Sequence, residues 1–250
     1  EATCVANRVP FALDDHLDRM YNSLRLLEIP FHMERDQVKA ELQKVIDAAE
    51  ESPVQFLYWQ ISRGACMRNH PFPDPEKVKP SLMIYVKPHT MKSMDKPYKL
   101  ISMEDIRFKM CNIKTLNLIP SVMANQRAVE RGCDEAVLHR GSRVTECAHS
   151  NVSIIKDGIF KTHPTDHYIL PGITRMHIIQ ICKDNGIPVD ETPFTMAELM
   201  DADEIIVSSS TKFCSPACEM NGTPIGGKAP ELVKLIQEKY VEKFENETAN

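Results

Sequence analysis

The feature that most constrains the fold is the presence of both helical and strand-like hydrophobic patterns in a chain of 250 residues. Apolar residues recur at helical spacing in residues 13–27 and 38–46. The segments VQFLYWQIS (54–62) and SLMIYVK (81–87) are rich in β-branched and aromatic residues, which is typical of strands. Two helices followed by two strands predict a first α/β lobe.

A change in composition marks the predicted domain boundary. The segment KPHTMKSMDKPYKL (87–100) is basic, contains proline and has few large aliphatic residues. We therefore predict a small N-terminal domain over residues 1–88 and a larger C-terminal domain over 89–250. The fold class expected from this mixture is α+β or mixed α/β, with two lobes.

Strands and helices alternate beyond this boundary. The pattern predicts helices over 117–132, 172–186 and 230–246, and a strand in DEIIVSSST that runs into a cluster of hydroxyl residues. DEAVLHRGSRVTEC and NVSIIKDGIFKTH each predict two strands joined by a turn. Asp157-Gly158 suits the type I′ turn of a hairpin.

Composition excludes several function classes. A net charge of -5 argues against a general nucleic-acid binder, because neutralising phosphates needs an excess of Lys and Arg. No apolar run is long enough to span a bilayer, which argues against a membrane partner. The 8 cysteines are mostly scattered singly, without a CxxC pair, so we expect reduced thiols in a cytoplasmic protein.

Lys114 is the first candidate for chemistry. It lies in RFKMCNIKTLNLIP (107–120), among the apolar residues Ile113, Leu116, Leu118 and Ile119, which we expect to be buried. Burial lowers the pKa of a lysine and makes its amine a nucleophile that can form a Schiff base. The alternative is a lysine at a strand end whose ammonium group reaches water.

Three further segments carry candidate groups. Glu146 lies in a strand-like segment, where a buried carboxylate would need a cationic partner, although an exposed edge strand is the alternative. The helix start LPGITR (170–175) and the hydroxyl run SSST (208–211) could bind a phosphate, or could be an ordinary helix start and a polar loop. Arg68 and His70 lie in a proline-rich loop and could bind a carboxylate, or could simply be solvated.

Other familiar motifs are absent from the sequence. No GxGxxG motif, complete P-loop or GxSxG motif occurs. HPTDH places His163 and His167 four residues apart, but its proline disfavours the helix that a zinc pair would need.

Three segments, taken in order, resemble the class IV aminotransferases, the pyridoxal 5'-phosphate enzymes of fold type IV. They are CNIKTLNLIPSVMANQRAVERGCDEAVLHR, VTECAHSNV and THPTDHYILPGITR. Within that family, the chain is most similar to the D-amino acid aminotransferases (D-alanine transaminases), over nearly its whole length. The resemblance implies a small N-terminal α/β lobe and a larger C-terminal pseudo-barrel lobe.

The resemblance also implies roles for individual residues. Lys114 matches the lysine that holds the cofactor as an internal aldimine and moves the substrate proton. Glu146 matches the carboxylate that faces the pyridine nitrogen. The other implied cofactor contacts, which involve the phosphate and the ring face, are Arg19, Leu170, Ile173, Thr174, Ser209 and Ser210.

The implied substrate contacts are Arg68 and His70, which match the carboxylate trap of the D-specific members. In the family this loop enters the neighbouring active site, so the resemblance implies a homodimer. His149 is expected to touch the cofactor or the substrate, and Phe108 stands where relatives can carry tryptophan. Family members extend further at the amino terminus, with a strand and an active-site tyrosine ahead of Glu1.

The implied reaction transfers an amino group from a D-amino acid such as D-alanine to a 2-oxo acid such as 2-oxoglutarate, with ping-pong kinetics. Three alternatives stay open. Two are enzymes of the same fold, a branched-chain L-amino acid aminotransferase and an aminodeoxychorismate lyase. The third is a truncated relative without catalytic activity.

Overall fold

The fold is seen in a computed structural model, which describes residues 1–91 and 93–249. The chain divides into two compact units. The first unit consists of Glu1–Met91 together with Phe244–Asn250, and the second consists of Lys92–Lys243.

The first unit contains a four-stranded antiparallel sheet with the strand order β2-β1-β3-β4. Its strands are β1 (Ala2–Ala6), β2 (Val9–Pro10), β3 (Val54–Ser62) and β4 (Ser81–Pro88), and its first two helices are α1 (Leu13–Leu26) and α2 (Arg35–Ala48). The two predicted helices and the two predicted strands are confirmed. Strand β1 was not predicted, because its short apolar run precedes a turn and has no clear alternation.

Alternation along β3 creates the core of this unit. Leu57 and Trp59 are fully buried on one face of the sheet, where they pack with apolar side chains of both helices, including Leu17 and Leu42. The indole Nε1 of Trp59 lies 3.2 Å from the sulfur of Met20, so its polar atom is also accommodated.

The second unit contains a nine-stranded mixed sheet. Its order is β10-β9-β8-β11-β12-β5-β6-β7, with β13 paired to β12. The strands are β5 (Tyr98–Glu104), β6 (Glu135–Arg140), β7 (Arg143–Cys147), β8 (Asn151–Lys156), β9 (Ile159–Thr162), β10 (Val189–Asp190), β11 (Glu204–Ser209), β12 (Phe213–Met220) and β13 (Thr223–Pro224). The helices are α3 (Ile119–Glu130), α4 (Ile173–Asp184), α5 (Met196–Asp201) and α6 (Pro230–Glu247), the last of which continues into the C-terminal part of the first unit.

The predicted mixed α/β class is confirmed, and so is the hairpin at Asp157-Gly158. Both turn residues have positive φ, 50° and 75°, as a type I′ turn requires. Strand β5 is parallel to both β6 and β12, and it was not predicted, because its start falls in the basic segment taken as the domain boundary.

Among the described residues, no helix is both long enough and apolar enough to cross a membrane.

Candidate active site

Glu146 is the centre of the candidate site in the second unit. It lies in β7 and is only 5% exposed. Its Oε2 accepts hydrogen bonds from Asn151 Nδ2 at 2.9 Å and from the backbone N–H of Leu170 at 3.0 Å. Its Oε1 accepts one from Arg107 Nη1. The buried carboxylate therefore has the cationic partner that its burial requires.

Arg107 is a site residue that sequence reasoning missed. Its Nε and Nη2 bind the carboxylate of Asp105 at 2.9 and 3.0 Å, and Nη2 also reaches the carbonyl oxygen of Tyr168 at 3.1 Å. The guanidinium thus bridges two buried carboxylates, those of Asp105 and Glu146. The one sequence signal was the position of this arginine at the start of segment 107–120, which also contains Lys114.

The surroundings of Glu146 raise the pKa of its carboxyl group. Burial raises its pKa to about 7, against the opposing effects of Arg107 and the Leu170 backbone N–H. The carboxyl group of Glu146 therefore changes protonation near neutral pH in this protein. A group with such a pKa can exchange a proton with a bound aromatic nitrogen at little cost.

Gly172 fixes the position of Asn151. A Cβ at residue 172 would collide with Oδ1 of Asn151, whose amide nitrogen bridges Glu146 and the carbonyl oxygen of Leu170 at 3.1 Å. Only glycine lets the start of α4 approach Asn151 this closely.

The N-terminus of α4 lies next to this network. Ile173 and Thr174 begin the helix and are buried, at 6% and 2% exposure. The first backbone N–H groups of an α-helix have no acceptor within the helix and favour an anion. The hydroxyl group of Thr174 accepts a hydrogen bond from Tyr240 at 3.2 Å, so Tyr240 fixes its rotamer.

Buried serine hydroxyls lie at the end of β11. Within residues 1–91 and 93–249, the Oγ atoms of Ser208 and Ser209 are buried without a hydrogen-bond partner. Ser208 pairs in register with Asn151 on β8, so this strand end lies beside the Glu146 network. Unsatisfied buried hydroxyls are costly. A bound phosphate would supply the missing acceptor to one of the two, because consecutive residues of a strand point to opposite faces of the sheet. This strand end, with the start of α4, therefore fits a cofactor that carries a phosphate.

Lys114 lies in the irregular segment between β5 and α3. The N–H of Cys111 donates to the carbonyl oxygen of His167 at 3.0 Å, which ties this segment to the chain just before Leu170. The expectation of a buried apolar surrounding is wrong for the single chain. Lys114 is exposed, and among its apolar neighbours only Ile113 is buried, at 6% exposure. Leu116, Leu118 and Ile119 are 65%, 44% and 72% exposed.

His149 makes contacts that the sequence did not indicate. Its Nδ1 lies 2.8 Å from a carboxylate oxygen of the fully buried Glu135, and its Nε2 lies 3.1 Å from Nζ of Lys212. Its contact with a cofactor or a substrate stays a prediction.

The remaining predicted residues belong to the first unit. Arg19 is buried at 8% exposure, and its Nε and Nη2 bind the two carboxylate oxygens of Glu1 at 3.0 and 2.7 Å. Although burial raises the pKa of Glu1, Arg19 and His16 hold it well below its usual range. Arg68 and His70 are exposed in the loop between β3 and β4.

Comparison with known sequences identifies the family. Residues 1–220 match the family described as amino-transferase class IV. A D-alanine aminotransferase from Listeria monocytogenes (serotype 4b) is 36% identical over 238 residues, which cover 94% of this chain and 82% of the relative. A D-alanine aminotransferase from Staphylococcus aureus (strain N315) is 37% identical over 249 residues, which cover 95% and 86%. The chain therefore belongs to the class IV aminotransferases.

Solved structures share its fold. The branched-chain amino acid aminotransferase of Escherichia coli matches with a TM-score of 0.86 at 21% identity, covering 100% of this chain and 86% of that one. A Legionella pneumophila protein assigned provisionally as a 4-amino-4-deoxychorismate lyase matches with a TM-score of 0.86 at 24% identity, covering 97% and 90%. The chain thus has the fold of the type IV enzymes, a fold shared by proteins of different activities.

Proposed function

We propose that this protein is a pyridoxal 5'-phosphate-dependent transaminase that moves an amino group from a D-amino acid, such as D-alanine, to a 2-oxo acid such as 2-oxoglutarate. The observation that carries the proposal is the Glu146 network. A buried carboxyl group with a pKa of about 7, held by Arg107, Asn151 and the Leu170 backbone, suits a partner nitrogen that must stay protonated.

When bound, pyridoxal 5'-phosphate supplies an electron sink for the negative charge that develops at the substrate Cα. In the proposed arrangement, Glu146 holds a proton at the ring nitrogen. Lys114 is the covalent anchor of the cofactor, and its amine carries the proton removed from Cα. Leu170, whose backbone N–H already binds Glu146, packs against one face of the ring.

The proposed phosphate site combines backbone and hydroxyl donors. The backbone N–H groups of Ile173 and Thr174 point along the start of α4, and the hydroxyls of Ser209 and Ser210 follow at the end of β11. The buried Ser209 hydroxyl, which has no partner among the described residues, supports this assignment. The assignment of Arg19 to the same phosphate rests on the family resemblance of its segment.

The choice of a D-amino acid rests on the relatives and on one loop. The two D-alanine aminotransferases are 36% and 37% identical to this chain. The solved structures of the branched-chain aminotransferase and of the Legionella protein are 21% and 24% identical to it. Arg68 and His70 resemble the carboxylate trap of the D-specific enzymes, and an arginine can bind a carboxylate through two parallel hydrogen bonds.

A homodimer is part of the proposal. The segment around Lys114 and one side of α3 expose large apolar side chains, which is unusual for the surface of a monomer. Ile119, Val122 and Met123 lie at helical spacings of three and four residues and are 72%, 61% and 53% exposed. A second copy that covers this surface would also supply the apolar surrounding that the single chain leaves open at Lys114.

The proposed compartment is the cytoplasm. All eight cysteines are free thiols, which is the state expected in a reducing environment.

The test supplies 2-oxoglutarate with D-alanine in one reaction and with L-isoleucine in another. We expect glutamate from D-alanine alone, and we expect that glutamate to be the D form by chiral chromatography. Formation of glutamate from L-isoleucine only would favour the branched-chain alternative. Release of pyruvate from aminodeoxychorismate would favour the lyase.

A second measurement addresses the cofactor itself. After borohydride reduction, peptide mass spectrometry should find the cofactor covalently fixed on Lys114, and the Lys114→Ala variant should carry none. A protein that binds no cofactor and forms no product would be the non-catalytic relative.

A further inference from the structure

A second buried carboxylate, that of Asp105, binds the guanidinium group that holds Glu146. The Asp105 side chain is 0% exposed. Its Oδ1 accepts hydrogen bonds from the backbone N–H and from Nε of Arg107 at 3.0 and 2.9 Å, and its Oδ2 accepts one from Nη2 at 3.0 Å. Nη1 of the same guanidinium group donates to Glu146. The charge of one arginine is therefore divided between two carboxylates.

The strands of the second unit fix the position of Asp105. It directly follows β5, and its backbone N–H donates to the carbonyl oxygen of His139 in β6 at 2.7 Å. The hydroxyl group of Thr145, the residue before Glu146 in β7, lies 3.0 Å from Oδ2 of Asp105. Asp105 is thus tied to both β6 and β7, which are rigid elements of the scaffold.

Arg140 adds a second cation at the end of β6. Its Nε lies 3.2 Å from Oδ2 of Asp105, and its Nη2 donates to the backbone carbonyl oxygen of Arg107 at 2.7 Å. Its guanidinium group also lies 4.8 Å from the centre of the Tyr168 ring, whose backbone carbonyl oxygen accepts a hydrogen bond from Arg107. Arg107 therefore has contacts that do not depend on the charge of Asp105. Asp105, Arg107 and Arg140 together form the Asp105 network.

The charges of this network follow from its contacts. Burial raises the pKa of Asp105, but Arg107 and Arg140 outweigh burial and lower it, so Asp105 is ionised at neutral pH. Burial also raises the pKa of Glu146, Arg107 opposes this rise, and the negative charge of Asp105 adds to it. With Asp105 neutral, the full charge of Arg107 would act on Glu146 and favour its ionised form.

The other ionisable groups around Glu146 have weaker effects. Burial raises the thiol pKa of Cys111 and of Cys147, so both thiols are uncharged near neutral pH. Lys109 and Lys114, on the same segment as Cys111, are exposed, and water and salt screen their charges. The charged groups that follow on neighbouring elements contact one another: Asp166 with Arg143, and Glu135 with His149, which also contacts Lys212. The Asp105 network therefore dominates the proton affinity of Glu146.

We propose that Asp105 is a positioning residue that acts on the proton of Glu146 through Arg107. By taking up part of the Arg107 charge, the Asp105 carboxylate keeps Glu146 able to hold a proton near neutral pH and to share it with the cofactor nitrogen. This inference rests on the proposed function, because Glu146 meets a cofactor nitrogen only in that function.

The test measures the pKa of Glu146 in the cofactor-free protein, by nuclear magnetic resonance of isotope-labelled glutamate carboxyl groups. The signal of Glu146 is the one that is missing from Glu146→Gln. We expect a midpoint at about pH 7 in the wild type. In Asp105→Asn we expect it about 1 to 2 pH units lower, because the negative charge that shares the guanidinium group is removed. Asparagine keeps the shape of the side chain and one oxygen acceptor for Arg107.

The direction of the shift separates this role from a purely structural one. If Asp105 only held Arg107 in place, asparagine would loosen the bond between Arg107 and Glu146, and the pKa of Glu146 would rise. An unchanged or higher midpoint in Asp105→Asn would therefore overturn the proposal. Asp184→Asn, at the exposed end of α4, is the matched control and should leave the midpoint unchanged.

Arg140→Met provides a second variant in case Asp105→Asn does not fold. It removes a cation whose side chain is 22% exposed and leaves the Asp105 carboxylate to Arg107. The pKa of Glu146 should then rise by roughly 0.5 to 1 pH unit, opposite to its shift in Asp105→Asn. A midpoint at or below that of the wild type would contradict the proposed division of charge.

A kinetic measurement separates this inference from the proposed function. With D-alanine and 2-oxoglutarate, Asp105→Asn should lower kcat roughly 3- to 30-fold and change KM less than twofold, because Glu146 holds its proton less tightly and substrate contacts are kept. A wild-type protein that transaminates nothing, with the expected pKa shift in Asp105→Asn, would refute only the proposed function. An active wild type whose Asp105→Asn variant keeps the same midpoint or the same kcat would refute only the role of Asp105.

Discussion

Replacing Glu146 with glutamine should change how the stability of the cofactor-free protein depends on pH. The pKa of Glu146 is raised by burial to about 7 from 4.5. Below pH 4.5 the group is protonated in both the folded and the unfolded chain, so it carries no penalty. As pH rises from 4.5 to 7, the unfolded chain loses this proton first, and the folded state is progressively destabilised.

The size of this effect follows from the pKa. Each pKa unit corresponds to about 1.4 kcal/mol, so a rise from 4.5 to about 7 is equivalent to about 3 kcal/mol above pH 7. Glutamine cannot ionise. The free energy of unfolding of Glu146→Gln, relative to wild type, should therefore increase by about 3 kcal/mol between pH 4.5 and 8. The lost bond to Arg107 adds an offset that does not depend on pH.

Urea denaturation of cofactor-free protein at several pH values, at one protein concentration, measures this difference. Glu76→Gln, at an exposed loop position, is the matched control and should show no such trend. A difference between Glu146→Gln and wild type that stays constant with pH would refute the reasoning. If Glu146→Gln instead loses stability relative to wild type as pH rises, the effect of Arg107 on Glu146 dominates over burial.

Four further outcomes are expected. Arg107→Met leaves two buried carboxylates without their cationic partner and should lower the free energy of unfolding by about 3–5 kcal/mol. The exposed control Arg127→Met should change it by less than about 1 kcal/mol. Equal effects of the two substitutions on urea denaturation would contradict the network. Gly172→Ala should cost about 1–3 kcal/mol in thermal denaturation, because its Cβ meets the neighbouring asparagine; an unchanged Tm would oppose this. Ser209→Ala should leave the cofactor-free protein as stable or slightly more stable and weaken cofactor binding about 10-fold in a spectroscopic titration; unchanged affinity would remove this serine from the phosphate site. Val122→Lys should yield monomers in light scattering if the exposed side of α3 is the dimer surface, and a persistent dimer would place the interface elsewhere.

The strands and helices that could be predicted are those with strong local signals. The hairpin at Asp157-Gly158 was predictable because a type I′ turn demands two residues that tolerate positive φ. Helix α4 was predictable from its glycine start and its Asn185-Gly186 end. By contrast, β1 and β5 depend on partners distant in the sequence, and their own residues give weak signals.

The residues of the candidate site likewise fall into those that the sequence predicted and those that it did not. The order of the segments along the chain predicted Glu146, Leu170 and the start of α4 as site residues. The structure brings Glu146 and Leu170 into hydrogen-bond contact, and their roles stay predictions. The sequence did not identify Arg107, because an ion pair between residues 39 positions apart depends on the path of an irregular segment. The expected burial around Lys114 was wrong for the single chain, since apolar residues can serve a surface between copies as well as a core.

The position of β5 has a consequence for synthesis of the protein on the ribosome. One edge of β5 pairs with β6, which soon follows it, but the other edge pairs with β12, whose residues emerge more than one hundred positions later. At typical translation rates, the second edge stays open for about 5–20 s. During that interval the nascent chain presents an unpaired strand edge to its neighbours, which makes it a natural client for chaperones that bind the emerging polypeptide.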